Sequence, residues 1–227
     1  MGQKINVNLF RAKKKLSNVS NTSADATALQ TSVWFAKGKM YSTYLLADRE
    51  IKTFLRKELQ SSGLVNVVVR RYFRKVEISI FVTRPGLVIG KAGATINALK
   101  AKLIKMFKLP EDLKLDIAEY RDPYRSANVI AEELSDAVKR GAAYRKLAKG
   151  FLEKVKYSGI QGCKITVAGR LNGAEIARSE HFGYGSVPRH TIDANIDYAS
   201  VPCKTKAGIL GIKVWLFKGD KFNAFNA

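Results

Sequence analysis

Two cysteines and two histidines are all that the 227 residues carry. Cys163 and Cys203 are too few for a four-cysteine zinc site or a disulfide framework, so both read as ordinary reduced thiols. His181 and His190 have no glutamate at metalloprotease spacing and no paired cysteines, so neither a metal nor another cofactor is expected. No apolar run reaches the roughly 18 residues a bilayer-crossing helix needs. The opening Met1-Gly2-Gln3-Lys4-Ile5-Asn6-Val7 lacks an apolar stretch of signal-peptide length, and Asn6 stands where a myristoylation motif needs Ser or Thr. A cytoplasmic protein with no membrane partner is the expectation.

Acidic residues are also scarce. Against 40 Lys+Arg stand 19 Asp+Glu, which leaves a formal charge of +21. So much positive charge repels itself unless a polyanion or an anionic surface neutralises it, and a small neutral substrate would not require it. Apolar residues make up 46% of the chain, enough for a real core, so wholesale disorder is excluded.

Catalytic constellations are missing as well. Ser158 and Ser179 lack a Gly-x-Ser-x-Gly context, and Glu175, Glu180, Asp193 and Asp197 lie among basic residues, where structural ion pairs are the default reading. A nuclease cluster among those carboxylates is the rival reading, but no enzyme is expected.

The chain divides into three stretches. Residues 1–24 form a basic arm with Lys4, Arg11, Lys13, Lys14 and Lys15, expected to be irregular until a partner fixes it, or else a solvated tail. Residues 25–119 read as α-β-β-loop-α-β. A helix spans about Ser42 to Ser61, strands run Leu64 to Phe73 and Val76 to Thr83, a second helix carries Ile96, Leu99, Leu103 and Phe107, and a strand alternates Leu113, Leu115 and Ile117. Asp122-Pro123 is a plausible boundary. Residues 120–227 then read as two helices, about Tyr124 to Arg140 and Ala142 to Tyr157, followed by strands around Cys163 to Val167 and Ile212 to Phe217. Helices followed by strands suggest the α+β class, with helices on one face of a mostly antiparallel or mixed sheet.

The most informative stretch is Gly86-Leu87-Val88-Ile89-Gly90-Lys91-Ala92-Gly93. A nucleotide-binding P-loop needs four residues before its Gly-Lys and a Ser or Thr after it; here three intervene and Ala92 follows. What fits is Ile-Gly-x-x-Gly, the loop by which a KH module clamps single-stranded nucleic acid. Gly90 and Gly93 lack Cβ atoms, so a sugar-phosphate backbone can come close. The following helix offers free N–H groups, and Lys91 adds a mobile cation. The elements on either side of the loop are those of a type II KH arrangement, although a glycine pair by itself can simply make a tight turn.

From Lys139 to Lys156 seven basic residues face one acid, Glu153. Val138, Tyr144, Leu147, Phe151 and Val155 form an apolar stripe, and Arg145, Lys146 and Lys149 share a face off it. Phosphates would offset their mutual repulsion; a solvated lysine-rich face is the plainer alternative.

Several long collinear stretches carry a family resemblance. They are Met1 to Asn6, Arg84 to Gly93, Gly169-Arg170-Leu171-Asn172-Gly173-Ala174-Glu175-Ile176-Ala177-Arg178, Val187 to Thr191, Ala194 to Tyr198 and Gly211 to Gly219. In these the chain resembles the bacterial-type small-subunit ribosomal protein family numbered three, type II KH proteins of the subunit head. The resemblance implies an N-terminal type II KH domain, a second helix-plus-sheet domain and a cytoplasmic place in the ribosome. Its implied partners are small-subunit ribosomal RNA (rRNA), neighbouring head proteins, and messenger RNA (mRNA) at the channel by which it enters. It also implies a role for Arg145, Lys146 and Lys149 in unwinding structured message. The RNA-contacting residues expected are Lys4 and Arg11 of the arm, Gly90, Lys91, Ala92 and Gly93 of the loop, Arg145, Lys146 and Lys149, and Arg170 and Arg178. Gly150, Gly183 and Ser186 stand where the family often has basic residues, Arg189 adds a charge nearby, and the arm diverges after Asn6. A stand-alone KH regulator or chaperone of RNA is the alternative.

Overall fold

A computed structural model describes residues 5–11, 31–72, 75–107, 109–110 and 112–220. The chain separates into two compact units: residues 20–121, and residues 1–19 joined to 122–227.

In the first unit, β1 (Ser32–Val33) precedes α1 (Lys39–Glu58), β2 (Leu64–Arg71) and β3 (Val76–Val82). A short α2 (Pro85–Ile89), α3 (Ala94–Phe107) and β4 (Leu113–Glu119) follow. The sheet order is β1-β2-β3-β4, with the β2-β3 hairpin antiparallel and both outer pairs parallel. Alternation explains the strands: Val76, Ile78, Ile80 and Val82 are buried, and Ile51, Leu55, Leu99 and Leu103 of α1 and α3 join them in one core. Burying each such side chain contributes about 1.5–3 kcal/mol. This is the α+β arrangement that the sequence pattern predicts. β1 and α2 are not in that reading: two residues of strand carry no periodicity, and α2 begins with Pro85 in a first-turn position, where its fixed φ suits a helix.

A buried carboxylate ties the start of this unit to its sheet. Asp48 of α1 accepts from the Arg71 guanidinium (2.9 and 2.6 Å), the Trp34 indole N–H (2.7 Å) and the Ser32 hydroxyl (2.9 Å). Lys52 donates to the Ser32 oxygen at 2.7 Å. Burial draws the Lys52 pKa down, partly opposed by Asp48.

The second unit contains α4 (Val7–Phe10), α5 (Ala127–Lys139), α6 (Tyr144–Tyr157), β5 (Gly162–Gly169), β6 (Arg178–Gly185), β7 (Ala194–Thr205) and β8 (Gly208–Asp220), α4 being numbered here with the unit it joins. Its sheet is antiparallel throughout, in the order β6-β5-β8-β7. Ile165, Val167, Ile212, Val214 and Leu216 line one face against Ile130, Leu134, Phe151 and Val155 of α5 and α6. Asp197 of β7 caps α5 by accepting from the Ala127 N–H at 2.9 Å. Burial pushes the Cys163 thiol up to about 12, so it stays protonated, and Cys203 donates to the Ser135 carbonyl.

Residues 5–11 depart from the expected free arm, while the rest of residues 1–24, with Lys13, Lys14 and Lys15, lies outside the described residues. Val7 packs with Ala194, Ile196, Trp215 and Phe217 on the sheet face opposite α5 and α6. The Arg11 guanidinium donates to the carbonyls of Ala194 (3.0 Å), Pro188 (3.3 Å), Arg189 (2.9 Å) and Thr191 (2.7 Å). Composition made these residues look solvated; four carbonyls converging from the Pro188–Ala194 loop make an interior site for one arginine.

Candidate nucleic-acid interface

Gly90 terminates α2, its N–H donating to the Gly86 carbonyl at 3.0 Å, and lies at φ 71°, ψ −177°. A Cβ there would overlap the Thr95 hydroxyl, so both conformation and space require glycine. Lys91–Gly93 make one 3-10 turn, Gly93 has φ 75°, and α3 starts immediately afterwards at Ala94. Buried Val88 anchors the approach, while Leu87, Ile89 and Lys91 remain exposed. The product is a turn beside a helix N-terminus, half-buried at Gly90 and Gly93 and exposed at Lys91, with no Asp or Glu in α3 to oppose an incoming phosphate. The backbone of Ala92 lies within this turn.

On α6, Tyr144, Ala148, Phe151 and Val155 turn inward. Arg145, Lys146 and Lys149 are exposed on the other side. They are not equivalent. The Arg145 Nε and Nη2 donate to Glu180 at 3.0 and 2.7 Å, and the Tyr144 hydroxyl reaches the same carboxylate at 3.0 Å. Arg178 Nε lies 3.3 Å from Glu180, so β6 brings two of the expected cations onto one carboxylate. Hydrogen bonds from Arg145 hold the Glu180 carboxyl at about 2, well below the usual range, and the same contact raises the Arg145 pKa. Glu180 therefore remains an anion that fixes the direction of Arg145.

Arg170 is exposed, but its guanidinium donates to the carbonyls of Ala174 (3.0 Å) and Ala207 (3.1 Å), pinning the Leu171–Gly173 turn to the β7-β8 hairpin. Arg11 is corrected from an RNA contact to an internal staple: its side chain is enclosed and burial lowers its pKa. Lys4 lies outside the described residues. The described part of the expected set thus falls into the glycine turn of the first unit and, in the second, the α6 face with Arg178, the pinned Arg170 and the enclosed Arg11. The sequence reading placed Glu180 among ion-paired carboxylates without naming its partners, because Tyr144 and Arg145 are some 35 residues away along the chain.

Comparison with known proteins places these features in a family. The family described as ribosomal protein S3, C-terminal domain, matches residues 134–216, and the KH domain family matches residues 50–125. The chain is similar to small ribosomal subunit protein uS3c of Guillardia theta, 34% identical over 221 residues that cover 97% of each chain. It is similar also to small ribosomal subunit protein uS3 of Vesicomyosocius okutanii, 41% identical over 83% of this chain and 81% of the relative. The uS3 protein of Chlamydia trachomatis serovar D is 40% identical over 84% of each chain.

Proposed function

The chain belongs to the family of small ribosomal subunit protein uS3, and from that premise we propose that it binds rRNA in the subunit head and helps line the channel by which mRNA enters. It is an RNA-binding constituent of the small ribosomal subunit, a structural component rather than an enzyme, and it sits in the ribosome. The similarity to ribosomal relatives runs the length of the chain, which argues against the stand-alone regulator. Co-sedimentation with small subunits separates the two.

The observation that carries the finer reading is the outward face of α6, where Lys146 and Lys149 stand exposed beside an Arg145 already aimed by Glu180. Exposed lysines are mobile cations suited to passing phosphates, and a guanidinium held by one anion can share its remaining donors with another. The glycine turn of residues 90–93 supports close contact with an RNA backbone in the first unit. Exposed Phe35, Met40, Tyr41, Leu45 and Leu46 around the start of α1 offer an apolar surface to neighbouring head proteins.

Changing Arg145, Lys146 and Lys149 together to Ala tests the channel reading. The variant folds and enters subunits, but translation slows on messages with stable hairpins ahead of the ribosome. Wild-type rates on those messages would exclude the proposed role of α6.

A further inference from the structure

The sheet of the second unit has one face under α5 and α6 and another that, among the described residues, the segment of residues 5–11 covers only in part. Strand alternation and pairing order the uncovered part into rows. His181, Thr166, Lys213 and Ser200 lie side by side across the four strands, and Ser179, Ala168, Gly211 and Pro202 form the next row. On the other side, Gly183 and Lys164 lead to Trp215 and Tyr198, where Val7 packs. Lys204, two residues beyond Pro202, continues the same face. His181, Ser200, Lys204 and Lys213 are exposed. None of the residues in these rows is acidic.

Two glycines here have no internal explanation. A Cβ on Gly183 would meet only the Cys163 carbonyl oxygen at 3.6 Å, and one on Gly211 only that of Ala168 at 3.9 Å; both are ordinary contacts. Neither glycine has positive φ. Glycine inside a strand weakens it and often marks the place where another backbone comes close. The Thr166 hydroxyl and His181 Nδ1 are 3.0 Å apart, which fixes the imidazole in the polar row.

We propose that this open face is a second RNA contact of the same unit, on which the backbone of the particle's own rRNA lies flat, with its phosphates at Lys204 and Lys213 and its closest approach over Gly183 and Gly211. The inference rests on the ribosomal reading above but uses the sheet face opposite α6. A protein partner would look for aromatic or aliphatic anchors at the centre of the contact, and the two central rows have none; the exposed Ile209, paired with Lys204, lies at the hairpin end of the face. Positive and rich in small polar groups, the surface has the chemistry of a phosphate interface.

The test uses the full-length protein and a 16-base-pair RNA duplex. A Lys204→Gln/Lys213→Gln variant changes two exposed side chains, and its Trp215 emission verifies the fold. Its slope of log affinity against log salt should be shallower than wild type by about 2, since each lost phosphate contact removes about 0.9. A Lys146→Gln/Lys149→Gln variant runs in parallel. If only the α6 variant loses slope, the sheet-face proposal fails and the α6 reading stands; if neither does, both fail. In assembled subunits, Lys204 and Lys213 should resist amine acylation relative to the free protein and crosslink to rRNA. Full reactivity, or crosslinks only to another protein, would overturn the proposal.

Discussion

Asp48 and Glu180 each gather an arginine in a different unit, and their surroundings make them opposites. Asp48 is nearly enclosed, and its partners Arg71, Trp34 and Ser32 saturate both oxygens. Glu180 sits at the surface between Tyr144, Arg145 and Arg178, the latter two exposed enough to exchange it for another anion. Enclosure turns an ion pair into architecture, because neither ion can leave without stranding the other in a poorly solvated site. Exposure weakens the pair as a source of stability and makes it a device for aiming cations.

Asp48→Ala gives the largest effect. It leaves the Arg71 guanidinium without its anion, and the cost should be about 3–5 kcal/mol, the range for breaking a buried pair. Urea unfolding followed through Trp34 emission checks this, and an unchanged midpoint would erase the contrast between the two carboxylates.

Arg11→Ala should cost about 2–3 kcal/mol, because four carbonyls lose a charged donor. The loss belongs to the second unit, so Trp215 should report it while Trp34 does not. Equal shifts at both tryptophans would show that enclosure in one unit does not confine the effect there.

The smallest effect is one of pH. Because the Glu180 carboxyl is depressed to about 2 from an ordinary ~4.3, its contribution is complete above the ordinary value and lost as pH falls toward about 2. The Glu180 carboxyl resonance should titrate near the lower value, and Arg145→Ala should return it toward the ordinary range. A wild-type midpoint near 4.3 would remove Glu180 as the group that aims Arg145.

Much of the fold was legible because its signals are local. The β2-β3 hairpin announces itself through Val76, Ile78, Ile80 and Val82, and α6 through its apolar stripe. The glycine turn reads at short range too, since Gly90 and the Thr95 hydroxyl that excludes a Cβ are five residues apart. β6 was not legible: Arg178–Gly185 is mostly polar and glycine-containing, and it becomes a strand because β5 supplies its hydrogen-bond partners. β1 owes its existence in the same way to Val69 and Arg70 of β2.

By itself the sequence determined the surplus of positive charge, the amphipathic period of the main helices and the glycine spacing at residues 90–93, since these depend on residue type and near neighbours alone. Which cations meet solvent was decided only in three dimensions. Arg11 turned inward because carbonyls more than 170 positions away converge on it, Arg145 was claimed by a carboxylate on β6, and Lys213 shares an open face with His181 through strand register. A charged group takes the partner that geometry brings within reach, and that reach is set by the packing of distant segments.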